Sequence, residues 1–229
     1  MYSTISLLFL FSFYVFTVLA NLDCTADSFS SILPRNTTVT LAAPVTKLGQ
    51  FSQNDVNISF SGNITKAALP ICVLELNVQS SSNTSFNTGV ILPNNWNGRL
   101  MATGNPGFGG GIRWNFQADA LKYGPAVTVS TDTGHVGAPN NISFAINNPD
   151  GIIDWAYRSL HESTVLAKQL AKAFYGSDVE HSYYTACSNG GRQGLKEVQM
   201  FPDDYDGVLA GAPPWQITHL HPYALQIGI

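Results

Sequence analysis

The stretch Thr185-Ala186-Cys187-Ser188-Asn189-Gly190-Gly191-Arg192-Gln193-Gly194 constrains the fold most, because it joins a strand-like run to a helix-like run through a tight, glycine-supported turn. Upstream, His181 to Ala186 is a short β-rich segment. Downstream, Leu195 to Phe201 continues as a helix that Pro202 stops. Ser188 therefore sits at a strand-to-helix corner, with its hydroxyl projecting above a sheet. Such a corner brings the backbones two residues before and two after the serine too close for bulky side chains, and Ala186 and Gly190 meet that demand. The five-residue pattern is loose by itself, and a plain turn that needs glycine would match it as well.

The remaining chain supplies the layers around that corner. Val39 to Leu48, Val56 to Phe60, Ile71 to Val78, Gly89 to Leu92 and Arg99 to Thr103 read as strands separated by Asn, Ser, Gly and Pro clusters. Pro149-Asp150-Gly151 opens a long helix, with Ile153, Tyr157, Leu160, Thr164, Ala167, Ala171 and Phe174 recurring at steps of four and three. Asp150 is the expected cap and Gly176 the stop. Strand Ala126 to Ser130, that helix, strand His181 to Ala186, helix Gly191 to Met200 and strand Val208 to Ala210 form consecutive βαβ units, hence a parallel sheet. The fold class is α/β, in an α/β-hydrolase order. The segment ends soon after the serine, which predicts a fold incomplete at the C-terminus, its last strands missing.

A serine hydroxyl is a weak nucleophile at neutral pH; it needs a histidine to take its proton and an acid to orient that histidine. Both follow the serine in a hydrolase of this order. The acids downstream are Glu197, Asp203, Asp204 and Asp206, and the histidines are His219 and His221; none is expected to complete a triad. His219 and His221 read as loop histidines, His161 and His181 as surface ones. Asp132 and His135 are only two ligands for a metal, so hydrogen bonding within their loop is the better reading. Asp203, Asp204 and Asp206 read as solvating the loop after Pro202, and no metal site is expected. The oxyanion of ester cleavage requires backbone donors in place beforehand. Asn189, following the serine, offers one amide; the glycine-rich run Gly104 to Gly111 offers another at Gly107 or Phe108, since Pro106 has no N–H. A phosphate-cradling loop is the rival, but no Lys-Ser or Lys-Thr follows that run.

The first twenty residues carry no charge and end on Val18-Leu19-Ala20, as a cleavable secretory signal does. A membrane anchor is the rival, but the apolar core is short for a span. Residues 21–229 are then the mature catalytic segment, large enough for one domain with its own core. The net charge of −4 argues against nucleic acid as a partner. Acceptor sequons at Asn36, Asn57, Asn63, Asn83 and Asn141 fit a secreted glycoprotein with no membrane contact once the signal is removed. Around Asn57, Val56, Ile58 and Phe60 alternate with polar residues, so a strand there would point a glycan outward.

Cys187-Ser188-Asn189-Gly190-Gly191-Arg192-Gln193-Gly194, then Phe201-Pro202-Asp203-Asp204-Tyr205-Asp206-Gly207-Val208 and Ala210-Gly211-Ala212-Pro213, resemble the tannase and feruloyl esterase family of secreted fungal and bacterial esterases. Leu92-Pro93, Trp96-Asn97-Gly98-Arg99, the run Gly104 to Gly111 and Ser130 to His135 extend the likeness over most of the mature chain. Ala186 is a departure, since family members commonly carry glycine there. The resemblance implies a serine carboxylic ester hydrolase that cleaves phenolic acid esters of plant cell-wall polysaccharides or tannins through an acyl-Ser188 intermediate. It also implies a lid domain, missing here, that follows this segment, and no cofactor in the segment itself, with calcium a feature of that lid domain. Three cysteines leave one without an internal partner. Cys24 is expected to pair with Cys72, and the resemblance assigns Cys187 a disulfide to a cysteine beside the catalytic histidine, a partner missing here. The alternative is a truncated, non-catalytic fragment that at most binds phenolics or glycans.

Overall fold

The structure, a computed structural model, describes residues 22–60 and 69–227; the expected signal at 1–20 and the sequon at Asn63 lie outside the described residues. In chain order the strands are β1 (Thr37–Val45), β2 (Gly49–Gln53), β3 (Val56–Phe60), β4 (Ile71–Gln79), β5 (Ser85–Pro93), β6 (Arg99–Thr103), β7 (Val127–Thr131), β8 (His181–Cys187) and β9 (Gly207–Gly211). Seven of them form one sheet in the order β1-β4-β5-β7-β6-β8-β9, while β2 and β3 make a separate hairpin. The β1-β4-β5-β7 half is antiparallel and the β7-β6-β8-β9 half is parallel, the latter as the βαβ pattern predicts.

The helices are α1 (Ala26–Ser30), α2 (Trp114–Ala120), α3 (Pro149–Ile153), α4 (Ser159–Tyr175), α5 (Asn189–Met200) and α6 (Ile217–Ile227). Successive residues of β4 and β5 point to opposite faces, and both faces are covered, so these strands are apolar throughout rather than alternating. Leu74, Leu76, Val90 and Leu92 meet Leu160, Ala167, Leu170 and Ala171 of α4 on one face. Val73 and Ile91 meet Ile58 and Phe60 of the hairpin and Trp114 of α2 on the other. In β3, Val56, Ile58 and Phe60 are buried while Asn57 is exposed, so its side chain does face outward; Asn36, Asn83 and Asn141 are exposed too. Cys24 and Cys72 form the expected disulfide, which fastens the segment before α1 to β4. Among the described residues, no helix is long and apolar enough to cross a membrane.

Several boundaries differ from expectation for local reasons. The first strand stops at Val45, and Gly49 to Gln53 form their own strand on β3. The strand expected at Gly89 to Leu92 runs from Ser85 to Pro93. Asn148, not Asp150, caps the long helix: its side chain accepts from Gly151 N at 3.1 Å, and Pro149 takes the first helical position, where a missing N–H costs nothing. The helix is also interrupted by a π turn at Asp154–Arg158 before α4 begins. The buried Asp154 carboxylate anchors that turn, accepting from Arg158 Nε at 2.6 Å and Ser80 Oγ at 2.8 Å. Gly176 ends α4 in the left-handed conformation, as expected. His219 and His221 stand on α6 rather than in a loop.

The strands next to β6, β7 on one side and β8 on the other, both come after it in the chain. In a parallel sheet, such a reversal opens a crevice at the carboxyl ends of the strands. The glycine-rich run leaves the end of β6, and the Ser188 corner leaves the end of β8.

Candidate active site

Ser188 joins β8 directly to α5 and has φ 59° and ψ −128°. This region is nearly closed to residues with a Cβ, and holding one there costs about 1–3 kcal/mol. The surroundings impose it. Ser188 N donates to Gly211 O of β9 at 2.9 Å, and Ser188 O accepts from Arg192 N at 3.1 Å in the first turn of α5. A Cβ on Gly190 would lie 2.5 Å from that of Ala186, so glycine at 190 is what lets alanine stand at 186. Tyr184, fully buried under the corner, donates from Oη to Gly190 O at 2.6 Å.

The run from β6 closes against this corner. A Cβ on Gly104 would overlap the Tyr184 hydroxyl and approach the Gln193 amide oxygen and the Gly190 Cα. Asn105 N donates to Gln193 Oε1 at 2.9 Å, and Asn189 Nδ2 donates to Asn105 O at 3.3 Å. Asn105 Nδ2 in turn donates to Gly111 O and Thr131 O, each at 3.1 Å, which ties the run to the end of β7. Ser188, Asn189, Gly107, Phe108 and Trp155 line a pocket of about 140 Å³. Ser188 also lines a larger cavity of about 600 Å³ with Thr103, Arg113, Phe116 and Tyr123.

Of the three amides expected to receive an oxyanion, two keep that capacity. Asn189 is the first residue of α5, and its N–H has no acceptor within the helix. Gly107 N has no acceptor among the described residues, and Gly107 lies at φ 55°. The Phe108 amide is a correction: it donates to Pro139 O at 2.7 Å and is occupied. Its carbonyl is engaged as well, by His135 Nε2 at 2.8 Å.

The acids and histidines settle elsewhere. Asp132 accepts from Asn87 N, Asn87 Nδ2 and Gly134 N at 2.8–2.9 Å, so it organises its loop as expected, and burial pushes its carboxyl up to about 6. Asp203 is exposed, but Asp204 and Asp206 do not simply solvate their loop: Asp204 is buried against His161, and Asp206 Oδ2 accepts from Ser182 N at 2.7 Å. His161 is likewise no free surface group, stacking on Phe201 with ring centroids 3.6 Å apart. Cys187 is exposed and unpaired among the described residues. The Ser188 hydroxyl has no hydrogen-bond partner among them either, and the His221 side chain lies outside those described.

Half-buried His161 and the buried Asp204 and Glu197 form a cluster far down α5 from the serine that sequence reasoning missed. His161 Nδ1 donates to Asp204 Oδ2 at 2.6 Å, a hydrogen-bond distance rather than the wider spacing of two ligands on one metal. Glu197 is fully buried, and desolvation together with the neighbouring Asp204 charge pushes its carboxyl up to about 9. A raised value means that the folded chain holds a proton that the unfolded chain releases near 4.5. The stabilisation is complete below that pH and is lost as pH rises toward about 9. Glu197→Gln should flatten the fall of the melting midpoint across this interval; equal slopes in variant and parent would mean that Glu197 is ionised in the fold.

Comparison with known proteins converges on one family. The family model described as "Tannase and feruloyl esterase" matches residues 72–227. A probable feruloyl esterase B-1 of Neosartorya fischeri is 43% identical over 154 residues, covering 67% of this chain and 29% of that protein. Feruloyl esterase B of Aspergillus niger is 38% identical over 185 residues, covering 81% and 35% respectively. The crystal structure of feruloyl esterase B from Aspergillus oryzae superposes with a TM-score of 0.75 at 36% identity, over 89% of this chain and 39% of that one. The chain thus spans about a third of the length of the curated relatives it matches. Shared sequence, an α/β-hydrolase sheet and the strained serine at its crevice all agree: the chain belongs to the tannase and feruloyl esterase family.

Proposed function

We propose that the protein is a secreted serine carboxylic ester hydrolase that cleaves phenolic acid esters of plant cell-wall polysaccharides or tannins. The observation that carries this reading is Ser188, held at φ 59° where the β6 and β8 crevice opens, sharing a pocket with two amides that have no acceptor among the described residues. The names of its relatives support the acyl class. Secretion is supported by the uncharged leader and the Cys24–Cys72 bond, which persists in oxidising compartments.

In this mechanism Ser188 Oγ attacks the ester carbonyl carbon while a base takes its proton. The carbonyl oxygen becomes an oxyanion that the Asn189 and Gly107 amides receive. Collapse expels the alcohol, which recovers the proton, and water then hydrolyses the acyl-serine by the same route. Ser188 lies on the wall of both pockets, so an ester bound across it has separate room for its acyl and alcohol sides. The reading requires an imidazole at hydrogen-bond distance from Ser188 Oγ, a place that no histidine with a described side chain occupies here.

The test is to mix the protein with a feruloyl or galloyl ester, quench within the first turnover and sequence the acylated peptide by mass spectrometry. The acyl mass should sit on Ser188. Turnover with the acyl group on another residue would remove Ser188 from the mechanism.

A further inference from the structure

Arg192 occupies the first turn of α5, where a cation opposes the helix dipole. Its guanidinium is mostly buried, forms no ion pair with a carboxylate among the described residues, and leaves Nη2 without a hydrogen-bond partner. Helix stability therefore does not explain it, because a buried unpaired charge destabilises the fold that contains it. Three contacts show what it does instead. Nε donates to Asn189 Oδ1 at 2.6 Å, Nη1 donates to Ala156 O of the π turn at 3.3 Å, and the guanidinium carbon Cζ lies over the Trp155 ring, 4.3 Å from its centre. Trp155 itself packs on Phe108, with ring centroids 5.4 Å apart.

These contacts lead to both sides of the oxyanion position. Gripping Asn189 Oδ1 turns its Nδ2 toward Asn105 O, which holds the strand end from which the run to Gly107 departs. The contact with Trp155 extends to Phe108, the residue after Gly107, which packs on the same ring. The Asn189 and Gly107 amides come from segments more than eighty residues apart, and Arg192 touches the supports of both.

We propose that Arg192 is a positioning residue for the reaction, a latch that sets the distance between the Asn189 and Gly107 amides without touching the substrate. The proposal rests on the esterase reading above. Its planar fork is required for this: a lysine supplies the charge but cannot bond Asn189, bond Ala156 and stack on Trp155 together. Burial lowers the guanidinium to about 10, still protonated at neutral pH.

The test uses Arg192→Met, Arg192→Lys, Asn189→Ala and the Arg192→Met/Asn189→Ala pair, with Ser188→Ala and the surface change Lys196→Met as controls. Arg192→Met should lower kcat about 10²-fold or more with KM changed less than about threefold, as expected when a transition-state donor is misplaced. Arg192→Lys should recover only part of that loss. The double variant should be no slower than the worse single one, because both break the same latch. Amide exchange in residues 104–111 should quicken in Arg192→Met while that of β7 does not, a readout independent of turnover. A parental kcat in Arg192→Met, or multiplying effects in the pair, would overturn the proposal. So would slow exchange in 104–111 beside a lowered melting point. If Ser188→Ala is as active as the parent, the serine-nucleophile reading fails instead, and the exchange measurement still decides whether Arg192 holds the run. If Arg192→Met does not fold, Arg192→Lys and Asn189→Ala carry the same comparisons.

Discussion

Ser188→Ala is expected to lower kcat/KM on phenolic esters by at least about 10⁴-fold, because the acyl intermediate has no other oxygen to form on. Its melting point should stay close to that of the parent, since the hydroxyl makes no hydrogen bond among the described residues and alanine keeps the same Cβ in the same backbone region. Ser188→Gly should be equally inactive yet more stable, by about 1 kcal/mol, because glycine relieves the φ 59° conformation. The pair separates chemistry from strain: activity falls in both variants, whereas only the glycine relaxes the corner. Steady-state kinetics and chemical denaturation on three proteins suffice. Retained turnover in Ser188→Ala would reassign the nucleophile, and a glycine variant no more stable than the alanine one would mean that the corner holds no strain.

The second large effect concerns the other end of the sheet. Replacing Cys24 and Cys72 together by alanine should cost about 4 kcal/mol, the loop-closure contribution of a bond spanning 48 residues. The loss falls on the antiparallel half, where Cys72 lies in β4 and the fully buried Phe29 packs into the same core. Denaturant unfolding with the bond intact and with both cysteines replaced measures it. A difference under about 1 kcal/mol would show that the packing of α1 holds the segment without the bond. Cys187→Ala, which breaks no bond among the described residues, should not reproduce the loss.

Much of the corner was legible because its chemistry is steric. Small residues at 186 and 190 are demanded by backbones in contact, and that requirement survives in the sequence as Ala and Gly. The parallel half was legible because the helices and strands between Val127 and Gly211 alternate with clear periods. The β2 strand was not, since Gln50, Ser52 and Gln53 are polar and exposed and leave no apolar rhythm. The π turn hid inside a helical pattern, because steps of four and three continue unbroken from Ile153 through Tyr157 to Leu160. The cap was misplaced by two residues although Pro149 marked it, proline being favoured just after a cap. Nothing local announces His161 with Asp204, whose partners are 43 residues apart. Nor could spacing show that the Phe108 amide is taken by Pro139, a contact between two loops. The Asn189–Arg192 bond did leave a signal, two polar residues three apart on one helix face.

The strand order also bears on how the site comes into being. The antiparallel strands β4 and β5 meet across a short hairpin, whereas Arg99 must find His181 before β6 and β8 pair. Closing so long a stretch of chain is slow compared with zipping neighbours together. A refolding chain should therefore acquire a protected β4–β5 core well before Ser188 faces the amide of Gly107. On the proposed esterase reading, return of activity then times the meeting of two distant segments, not the collapse of the chain around them.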